Sequence, residues 1–417
     1  MENRRVVITG LGTVNPLARD VDGFWAALLA GQSGVRRVAR FDASAFASQI
    51  GGEVVGWSGV PESVVDKRGS KRFDRFAQFA VAASVEAVAD SGVDFDSVDR
   101  DRCGVLIGSG IGGLEELEVQ HEKMLARGPG RVSPFTVPKL MVNAASGNVG
   151  ILWGLRGPNS AVATACASAS NAIGDALRLI QRGQVELMIA GGAEAALTRL
   201  GLASFCALKA LSTRNDQPQR ASRPFDKDRD GFVLAEGAGV VILEELEHAR
   251  RRGARIWAEL IGYGMTCDAT HITAPDPEGR GATEAMRLAL ADAGVRPEQV
   301  DYINAHGTST ELNDISETRA IKAVFGDHAY NGLVISSTKS AIGHLLGASG
   351  GVELIATVKT IETGWVPPTL NLDAPAEECD LDYCPLEKRR VGVKVAMSNS
   401  LGFGGHNVVL VVKAFEA

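Results

Sequence analysis

Short apolar runs that end in glycines alternate along this chain with longer stretches of amphipathic pattern. Residues 5–12 (Arg-Val-Val-Ile-Thr-Gly-Leu-Gly) and residues 102–113 each predict a buried strand that enters a glycine turn. Residues 185–194 predict a further buried strand, whereas residues 23–29 and 114–124 predict amphipathic helices. Alternating buried strands and helices indicate α/β layers, in which parallel strands lie between helices.

The second half of the chain repeats this order of elements. Residues 254–264 predict a strand and glycine turn like the one near the start of the chain. Residues 300–310 resemble the strand and glycine unit of residues 104–113, and residues 333–361 repeat the strand, turn and helix of residues 162–180. Residue identity between the matched segments is weak, so the duplication is inferred from the pattern alone.

The boundary between the halves is placed after the charged helix end at residues 247–253. The N-terminal half then covers residues 1–253 and carries a central cysteine. The C-terminal half covers residues 254–417 and carries two histidines that lie in glycine-containing turns.

Composition excludes several classes of protein. The 417 residues are 45% hydrophobic and 22% charged, which suits a globular chain able to bury a large core. The formal net charge of −7 argues against general binding of nucleic acid. No apolar run approaches the roughly 18 residues of a membrane span, and the apolar part of the first segment is too short for a secretion signal. Six scattered cysteines without a C-x-x-C pair predict neither a disulfide framework nor a zinc site, and a reducing, cytoplasmic compartment is expected.

Cys166 lies where a run of small and β-branched residues changes to a helical pattern. Near the first turn of a helix, unpaired N–H groups and the helix dipole favour an anion, so the thiol is expected to ionise more easily. Its neighbours Ala165, Ala167 and Ser168 are small and allow a substrate to come close. The alternative is an inert cysteine that fills the core. Position alone does not decide between the two.

Three further segments place polar residues among glycines at predicted strand ends, the usual location of chemistry in α/β layers. They are residues 304–310, 337–344 and 398–407. The chain has only seven histidines, and His306 and His344 both fall in these segments. One histidine in a turn is most often structural, but two of them with a cysteine at a helix start favour catalysis. If a pseudo-twofold axis relates the halves, Cys166 faces His344 and the nearby Lys339.

Two motifs imitate known binding sites. Gly108, Gly110 and Gly113 satisfy G-x-G-x-x-G, but no acidic residue follows about twenty positions later, so a dinucleotide site is disfavoured. Residues 226–231 imitate the start of a calcium loop, but its closing Glu236 comes one position early. A turn with local ion pairs is the better interpretation there.

The segments around Cys166, His306 and His344 resemble the β-ketoacyl-acyl-carrier-protein synthase family, in particular its elongating, FabF-like group. The motifs are Thr-Ala-Cys-Ala-Ser-Ala at residues 164–169, Ala-His-Gly-Thr-Ser-Thr at 305–310 and Lys-Ser-Ala-Ile-Gly-His at 339–344. Initiating synthases and thiolases carry Asn or a second Cys in place of one His, so Cys-His-His indicates the elongating branch.

The resemblance implies a thiolase-like fold, in which duplicated α/β halves form a five-layered α-β-α-β-α sandwich. It implies a decarboxylative Claisen condensation in fatty acid elongation, with no metal and no bound cofactor. Substrates would be carried on the phosphopantetheine arm of an acidic acyl carrier protein, and the chain would form a homodimer.

The resemblance also implies roles for individual residues. Cys166 would accept the acyl chain, while His306 and His344 would donate N–H groups to developing negative charge. The backbone N–H groups of Cys166 and Phe403 would form the oxyanion hole, and Phe403 would act as a mobile gate. Lys339 is expected to bias His344 and to pair with Glu317.

Other positions follow from the same resemblance. Ile111 would line the acyl pocket, and Thr273, Thr308 and Thr310 would contact the phosphopantetheine arm. Basic residues would dock the carrier. Without the resemblance, the basic cluster at residues 67–72 is better explained as a solvated helix start. The docking candidates are Lys67, Arg68, Lys71, Arg72, Arg131 and Lys209. Gly130 stands where a second basic residue beside Arg131 would be expected.

Two other functions remain open from the sequence. A polyketide ketosynthase shares the same three residues and differs mainly in its partner and product. A non-catalytic chain-length partner has the same fold without the nucleophile, so the presence of Cys166, His306 and His344 argues against it.

Overall fold

The structure, a computed structural model, describes residues 4–416, apart from the side chains of residues 67 and 68. Within that part of the chain the strands are β1 (Val6–Val14), β2 (Arg36–Arg37), β3 (Ile50–Gly51), β4 (Cys103–Gly108), β5 (Asn159–Ser160), β6 (Leu187–Glu194), β7 (Gly237–Glu245), β8 (Ala258–Cys267), β9 (Tyr302–Asn304), β10 (Val334–Ser336), β11 (Trp365–Val366), β12 (Arg389–Arg390), β13 (Val395–Gly402) and β14 (His406–Lys413).

The α-helices of the same residues are α1 (Val21–Leu29), α2 (Lys67–Ser70), α3 (Arg75–Ser91), α4 (Leu114–Arg127), α5 (Thr136–Leu140), α6 (Ala144–Trp153), α7 (Ser168–Gln181), α8 (Arg199–Ala207), α9 (Leu246–Arg251), α10 (Arg280–Ala293), α11 (Glu311–Phe325), α12 (His328–Asn331), α13 (Lys339–Ile342) and α14 (Ser349–Thr363). Short 3₁₀ turns lie at Arg100–Arg102, Pro129–Arg131, Ala165–Ala167, Pro218–Arg220, Pro297–Gln299 and Leu346–Ala348.

Ten strands form one sheet in the order β10-β9-β13-β14-β8-β1-β7-β6-β4-β5. From the β1–β8 contact outward, both halves have the same order of strands. The first half has the order β1, β7, β6, β4, β5, and the matching strands of the second half are β8, β14, β13, β9 and β10. The directions match as well, with parallel pairing among the outer three strands and antiparallel pairing at β7 and β14. The duplication predicted from the pattern is therefore confirmed.

The prediction of parallel strands is wrong for part of the sheet. β13 and β14 are joined by a turn of three residues, which forces antiparallel pairing because a parallel connection needs a long crossover. β1 and β7 are antiparallel in the same way as their counterparts. The boundary predicted after residue 253 falls between α9 and β8, and the division into two domains stays a prediction.

Different helices cover the two faces of the sheet, because successive side chains of a strand point to opposite sides. In β4, Leu106 enters one apolar core, whereas Val105 and Ile107 enter another. The core that holds Leu106 contains α7, α14 and strands of both halves, so these two helices lie between the halves. The outer faces are covered by α3 and α6 on one half and by α10 and α11 on the other. This is the predicted five-layered α-β-α-β-α sandwich.

The central layer depends on the apolar face of α7. Its predicted core positions Ile173, Ala176, Leu177 and Ile180 are all fully buried. None of the helices in the described residues is both long and apolar enough to cross a bilayer.

We expect Ile173→Ala to lower the free energy of unfolding by about 2–5 kcal/mol, because it leaves a cavity in the central layer. Urea denaturation followed by circular dichroism measures the change. Ile272→Ala is the control, since that side chain is 72% exposed. Equal midpoints for the two variants would contradict the packing described for α7.

Candidate active site

Cys166 lies in a tight turn directly before α7. The turn Ala165–Ala167 has 3₁₀ geometry, and Ala165 adopts a φ of +49°, which residues with a Cβ rarely do. Ser168 closes the turn, since its hydroxyl donates to the carbonyl of Ala165 at 2.6 Å and accepts from the N–H of Thr164 at 2.9 Å. The helix start predicted for Cys166 is confirmed, although the preceding strand is only the two residues of β5.

A matching turn lies in the second half, directly before α14. Leu346–Ala348 is again 3₁₀, and Leu346 has a φ of +48°. Ser349 begins α14 as Ser168 begins α7. Gly347 therefore occupies the position that Cys166 occupies in the first turn. The two turns are in contact, which brings His344 close to Cys166.

The ring of His344 is oriented by its own segment. Its Nδ1 accepts from the hydroxyl of Ser349 at 2.9 Å and from the N–H of Leu346 at 3.3 Å. The ring proton is therefore on Nε2, which lies 3.0 Å from the sulfur of Cys166. His344 thus presents an N–H donor to the thiol.

His306 presents a second donor to the same space. The ammonium of Lys339 lies 3.2 Å from Nδ1 of His306 and donates to it, so the proton of this ring is also on Nε2. The His306 and His344 rings are 5.3 Å apart between centroids, at an angle of 86°. Burial holds the pKa of each histidine well below its usual value, and the positive charge of Lys339 lowers both further. Both rings are therefore neutral near pH 7.

The expected pairing of Lys339 with Glu317 is wrong. Lys339 is 1% exposed and forms its ion pair with Glu353, which lies on α14. Glu317 lies on α11 and accepts from the backbone N–H groups of His306 and Gly307, both at 2.8 Å. It therefore shapes the His306 loop instead of neutralising the lysine.

The thiol of Cys166 does not ionise as easily as the sequence suggested. Burial raises its pKa to about 12, and the charge of Lys339 and the N–H of Phe403 only partly oppose this effect. Desolvation of the thiolate outweighs these two effects, because the sulfur is enclosed by the protein. Cys166 is therefore a thiol near pH 7.

Phe403 lies in the turn between β13 and β14, and its backbone N–H lies near enough to the sulfur of Cys166 to lower the pKa of the thiol. Its side chain is half-buried at the edge of the cavity. Gly402 faces the Cys166 turn, since a Cβ at residue 402 would lie 3.1 Å from the backbone N of Cys166. The space beside the Cys166 N–H is open because residue 402 has no side chain.

A cavity of about 490 Å³ reaches Cys166, His306 and His344. The residues predicted from the resemblance line it: Ile111, Thr273, Thr308, Thr310 and Phe403. The apolar part of its wall was not foreseen, and it contains Phe205, Phe232 and Leu346 packed with Cys166 and Ile111.

The proposed docking residues are exposed where the structure describes their side chains. Lys71, Arg72, Arg131 and Lys209 are on the surface, and Lys209 also lines the cavity. The guanidinium of Arg72 lies 5.1 Å from the ring centre of Phe135. The side chains of Lys67 and Arg68 lie outside the described residues.

Among the described residues, Cys166, His306 and His344 also form a group whose ligand atoms all lie within 4.8 Å of one another. A divalent metal is disfavoured there, because the ammonium of Lys339 lies behind His306 and both Nε2 atoms carry protons. The prediction that no metal takes part stays a prediction.

Sequence reasoning missed two buried carboxylates. Glu353 lies in the otherwise apolar first turns of α14, and Glu194 ends the fully buried strand β6. A charged residue inside a buried apolar segment needs partners, and that signal was available in both cases.

Comparison with known proteins identifies the class. The family model described as "Beta-ketoacyl synthase, N-terminal domain" matches residues 3–249, and "Beta-ketoacyl synthase, C-terminal domain" matches residues 257–373. The chain belongs to the β-ketoacyl synthase family.

Particular relatives refine this result. The chain is 54% identical over 416 residues to the 3-oxoacyl-[acyl-carrier-protein] synthase 2 of Synechocystis sp., covering 100% of this chain and 99% of the relative. It is 52% identical over 412 residues to the protein of that name from Coxiella burnetii, covering 99% of each. A solved structure of a type II polyketide ketosynthase in complex with its acyl-carrier protein matches with a TM-score of 0.92 at 36% identity, covering 100% of both chains.

We expect the double variant Lys339→Met, Glu353→Gln to raise the pKa of His306 and His344, because it removes the charge that disfavours their protonation. NMR titration of histidines labelled with ¹³C at Cε1 measures both values, and Lys413→Met on the surface is the control. Each folded-state pKa lies below the unfolded value of about 6.5, so the unfolded chain binds more protons and stability falls as the pH decreases below 6.5. That loss of stability should be smaller in the double variant. Unchanged titration of both rings would contradict the electrostatic role of Lys339.

Proposed function

We propose that this protein is a 3-oxoacyl-[acyl-carrier-protein] synthase 2, an acyltransferase that elongates acyl chains by decarboxylative Claisen condensation. The proposal depends on one observation. The sulfur of Cys166 lies 3.0 Å from an N–H of His344, with His306 beside it, at the end of a cavity with an apolar wall. Two full-length relatives above 50% identity that bear this name support it.

The first step transfers the acyl group to Cys166. The sulfur attacks the thioester of an acyl chain on its carrier, a new C–S bond forms, and the bond to the carrier sulfur breaks. The proton of Cys166 leaves with the carrier thiol, so no net charge is created. The negative oxygen of the tetrahedral intermediate is stabilised by the N–H groups of Cys166 and Phe403.

The second step needs an enolate beside the acylated cysteine. Loss of CO₂ from a malonyl thioester leaves negative charge on its thioester oxygen, and the Nε2–H groups of His306 and His344 stabilise that charge. Both rings have to be neutral for this, because an imidazolium could transfer its proton to the enolate instead of only donating a hydrogen bond to it. The carbanion then attacks the acyl carbon on Cys166, and the bond from that carbon to the sulfur breaks. This gives the 3-oxoacyl product and a thiolate, which takes a proton from water and returns to the thiol.

The substrates of this reaction are carried by a protein. We assign Thr273, Thr308 and Thr310 to the phosphopantetheine arm, and the hydroxyls of Thr308 and Thr310 lie 2.9 Å apart on the cavity wall. An acidic acyl carrier protein would dock on the exposed basic residues Lys71, Arg72, Arg131 and Lys209, together with Lys67 and Arg68. No other cofactor is required, since the histidines and backbone N–H groups provide the electrostatic stabilisation.

We further propose a homodimer in the cytoplasm. The edge strand β5 is exposed at one end of the ten-stranded sheet. Large apolar side chains on the three preceding helices, α4, α5 and α6, are also exposed, among them Leu125, Val137 and Ile151. All six cysteines are free thiols, as expected in a reducing compartment. Sedimentation equilibrium of the protein and of Ile151→Asp tests the dimer, which the substitution should weaken.

A polyketide ketosynthase is the second candidate, supported by the 36% match to such an enzyme. The higher identity to the two 3-oxoacyl-[acyl-carrier-protein] synthases favours elongation. Incubation with malonyl-carrier protein and short, medium and long saturated acyl primers distinguishes the two. Fatty acid elongation predicts one condensation for each reduced primer, whereas repeated condensation without reduction would indicate polyketide synthesis. Absence of any condensation would overturn both.

We expect Gly402→Ala to lower kcat by about 10²-fold, because its Cβ would lie against the Cys166 N–H that faces the oxyanion. Steady-state condensation assays measure the loss, and alkylation of Cys166 by iodoacetamide checks that the thiol is still accessible. Gly392→Ala is the matched control, since a Cβ there meets nothing within 4 Å. Full turnover of the Gly402 variant would show that this space is not the oxyanion hole.

A further inference from the structure

Glu194, the last residue of β6, is a fully buried carboxylate whose partners are all donors without charge. Its Oε1 accepts from the hydroxyl of Ser109 at 2.9 Å and from the N–H of Ile111 at 3.3 Å. Its Oε2 accepts from the N–H groups of Gly110 at 2.7 Å and Gly347 at 3.1 Å. Burial raises the pKa of Glu194, and these four hydrogen bonds oppose that effect in part because each of them stabilises the carboxylate form.

The duplication of the fold gives this carboxylate a particular position. Glu194 and Gly402 end the matching strands β6 and β13, and each pairs with the first residue of the next strand, β7 or β14. Gly402 faces the N–H of Cys166, and the carboxylate of Glu194 binds the N–H of Gly347. Gly347 is the counterpart of Cys166. The first half therefore has an open hole for an oxyanion, and its counterpart in the second half is filled by a carboxylate.

The carboxylate of Glu194 joins two parts of the cavity wall, because it binds the N–H groups of both Gly110 and Gly347. A Cβ at Gly347 would lie 2.4 Å from the N of Gly110 and 2.7 Å from Oε2 of Glu194, so the turn and the loop are in direct contact. Ile111 on the loop and Leu346 on the turn both line the cavity. The N–H of Leu346 also donates to His344. The carboxylate of Glu194 thus fixes Ile111, in the first half of the chain, relative to His344, in the second half.

We propose that Glu194 is a positioning residue that acts as a built-in anion, holding Ile111 in place and thereby setting which acyl chain lengths reach Cys166. The acyl-chain readout depends on the proposed function, whereas the structural readout described below does not. Glu194 itself does not touch the reacting atoms.

Glu194→Gln tests the proposal with a side chain of nearly equal size. An amide has one NH₂ group, which cannot accept from the N–H groups of Gly110 and Gly347, so the loop is released. We expect the ratio of kcat/KM for long primers to that for short primers to rise about tenfold, because Ile111 no longer limits the pocket. An unchanged ratio would overturn the specificity role and leave Glu194 with a structural role alone.

Glu86→Gln is the matched control. Its carboxylate also accepts from two backbone N–H groups, those of Thr13 and Val21, but Glu86 does not line the cavity. We expect a lower unfolding midpoint for this variant with the primer ratio of the unmodified protein. A similar change of ratio in both variants would show that general loss of stability is the cause, and would also overturn the proposal.

Glu194→Ala with added formate provides a readout independent of activity. The variant retains the Ser109 hydroxyl and the three N–H groups around a space large enough for a small carboxylate. Hydrogen exchange measured by mass spectrometry should show faster exchange at residues 110, 111 and 347, and formate should restore the protection. Sodium chloride at equal ionic strength and formamide should not. Failure of formate to restore protection would overturn the built-in anion, even if the enzyme proved inactive with every acyl primer.

If the unmodified protein condenses no primer while formate restores protection, the proposed function fails and the anion site stands without its specificity role. If condensation is normal while formate has no effect, the proposed function stands and the role of Glu194 fails. Folding of both variants is checked by circular dichroism, and Glu194→Gln alone decides the specificity role should Glu194→Ala not fold.

Discussion

The contact between two helix starts in the central layer determines the rest of this structure. The turns before α7 and α14 meet there, one with Cys166 and the other preceded by His344. Each turn contains one residue with positive φ, at Ala165 and Leu346, and each helix then begins with a serine. Backbone strain of this kind persists only when the surroundings hold it in place, which the packing of α7 and α14 between two sheet halves does.

Within this layer, ion pairing offsets the cost of burying a charge. A lone ammonium would be costly here, but Lys339 is paired with Glu353 and directed at Nδ1 of His306. Burial together with this charge keeps both imidazoles neutral. The ammonium fixes the proton of His306 on Nε2, whereas the N–H of Leu346 does so for His344. The ion pair therefore controls the tautomer of His306 and lowers the pKa of both rings, so the two N–H groups at the cavity are neutral donors.

Much of this arrangement could be predicted from the sequence. The duplicated order of strands, the helix after Cys166 and the convergence of Cys166, His306 and His344 follow from local patterns and from the resemblance. The pairing of Lys339 could not, because Glu317 and Glu353 are both acidic residues in helices of the second half, and only the three-dimensional path of α11 and α14 separates them. The raised pKa of Cys166 was missed for a similar reason, since burial depends on how both halves close over the sulfur. Antiparallel pairing at β7 and β14 was missed because a buried strand has the same apolar pattern in either direction.

The duplication has left one position that differs completely between the halves. Cys166 has room for a side chain, whereas the corresponding Gly347 is pressed against the backbone of Gly110, where even a methyl group would overlap. A second cysteine therefore cannot be placed at residue 347 by substitution of that residue alone. A side chain at residue 347 would need a different path for the loop that contains Gly110. The two halves therefore differ at this position, although their architecture is the same.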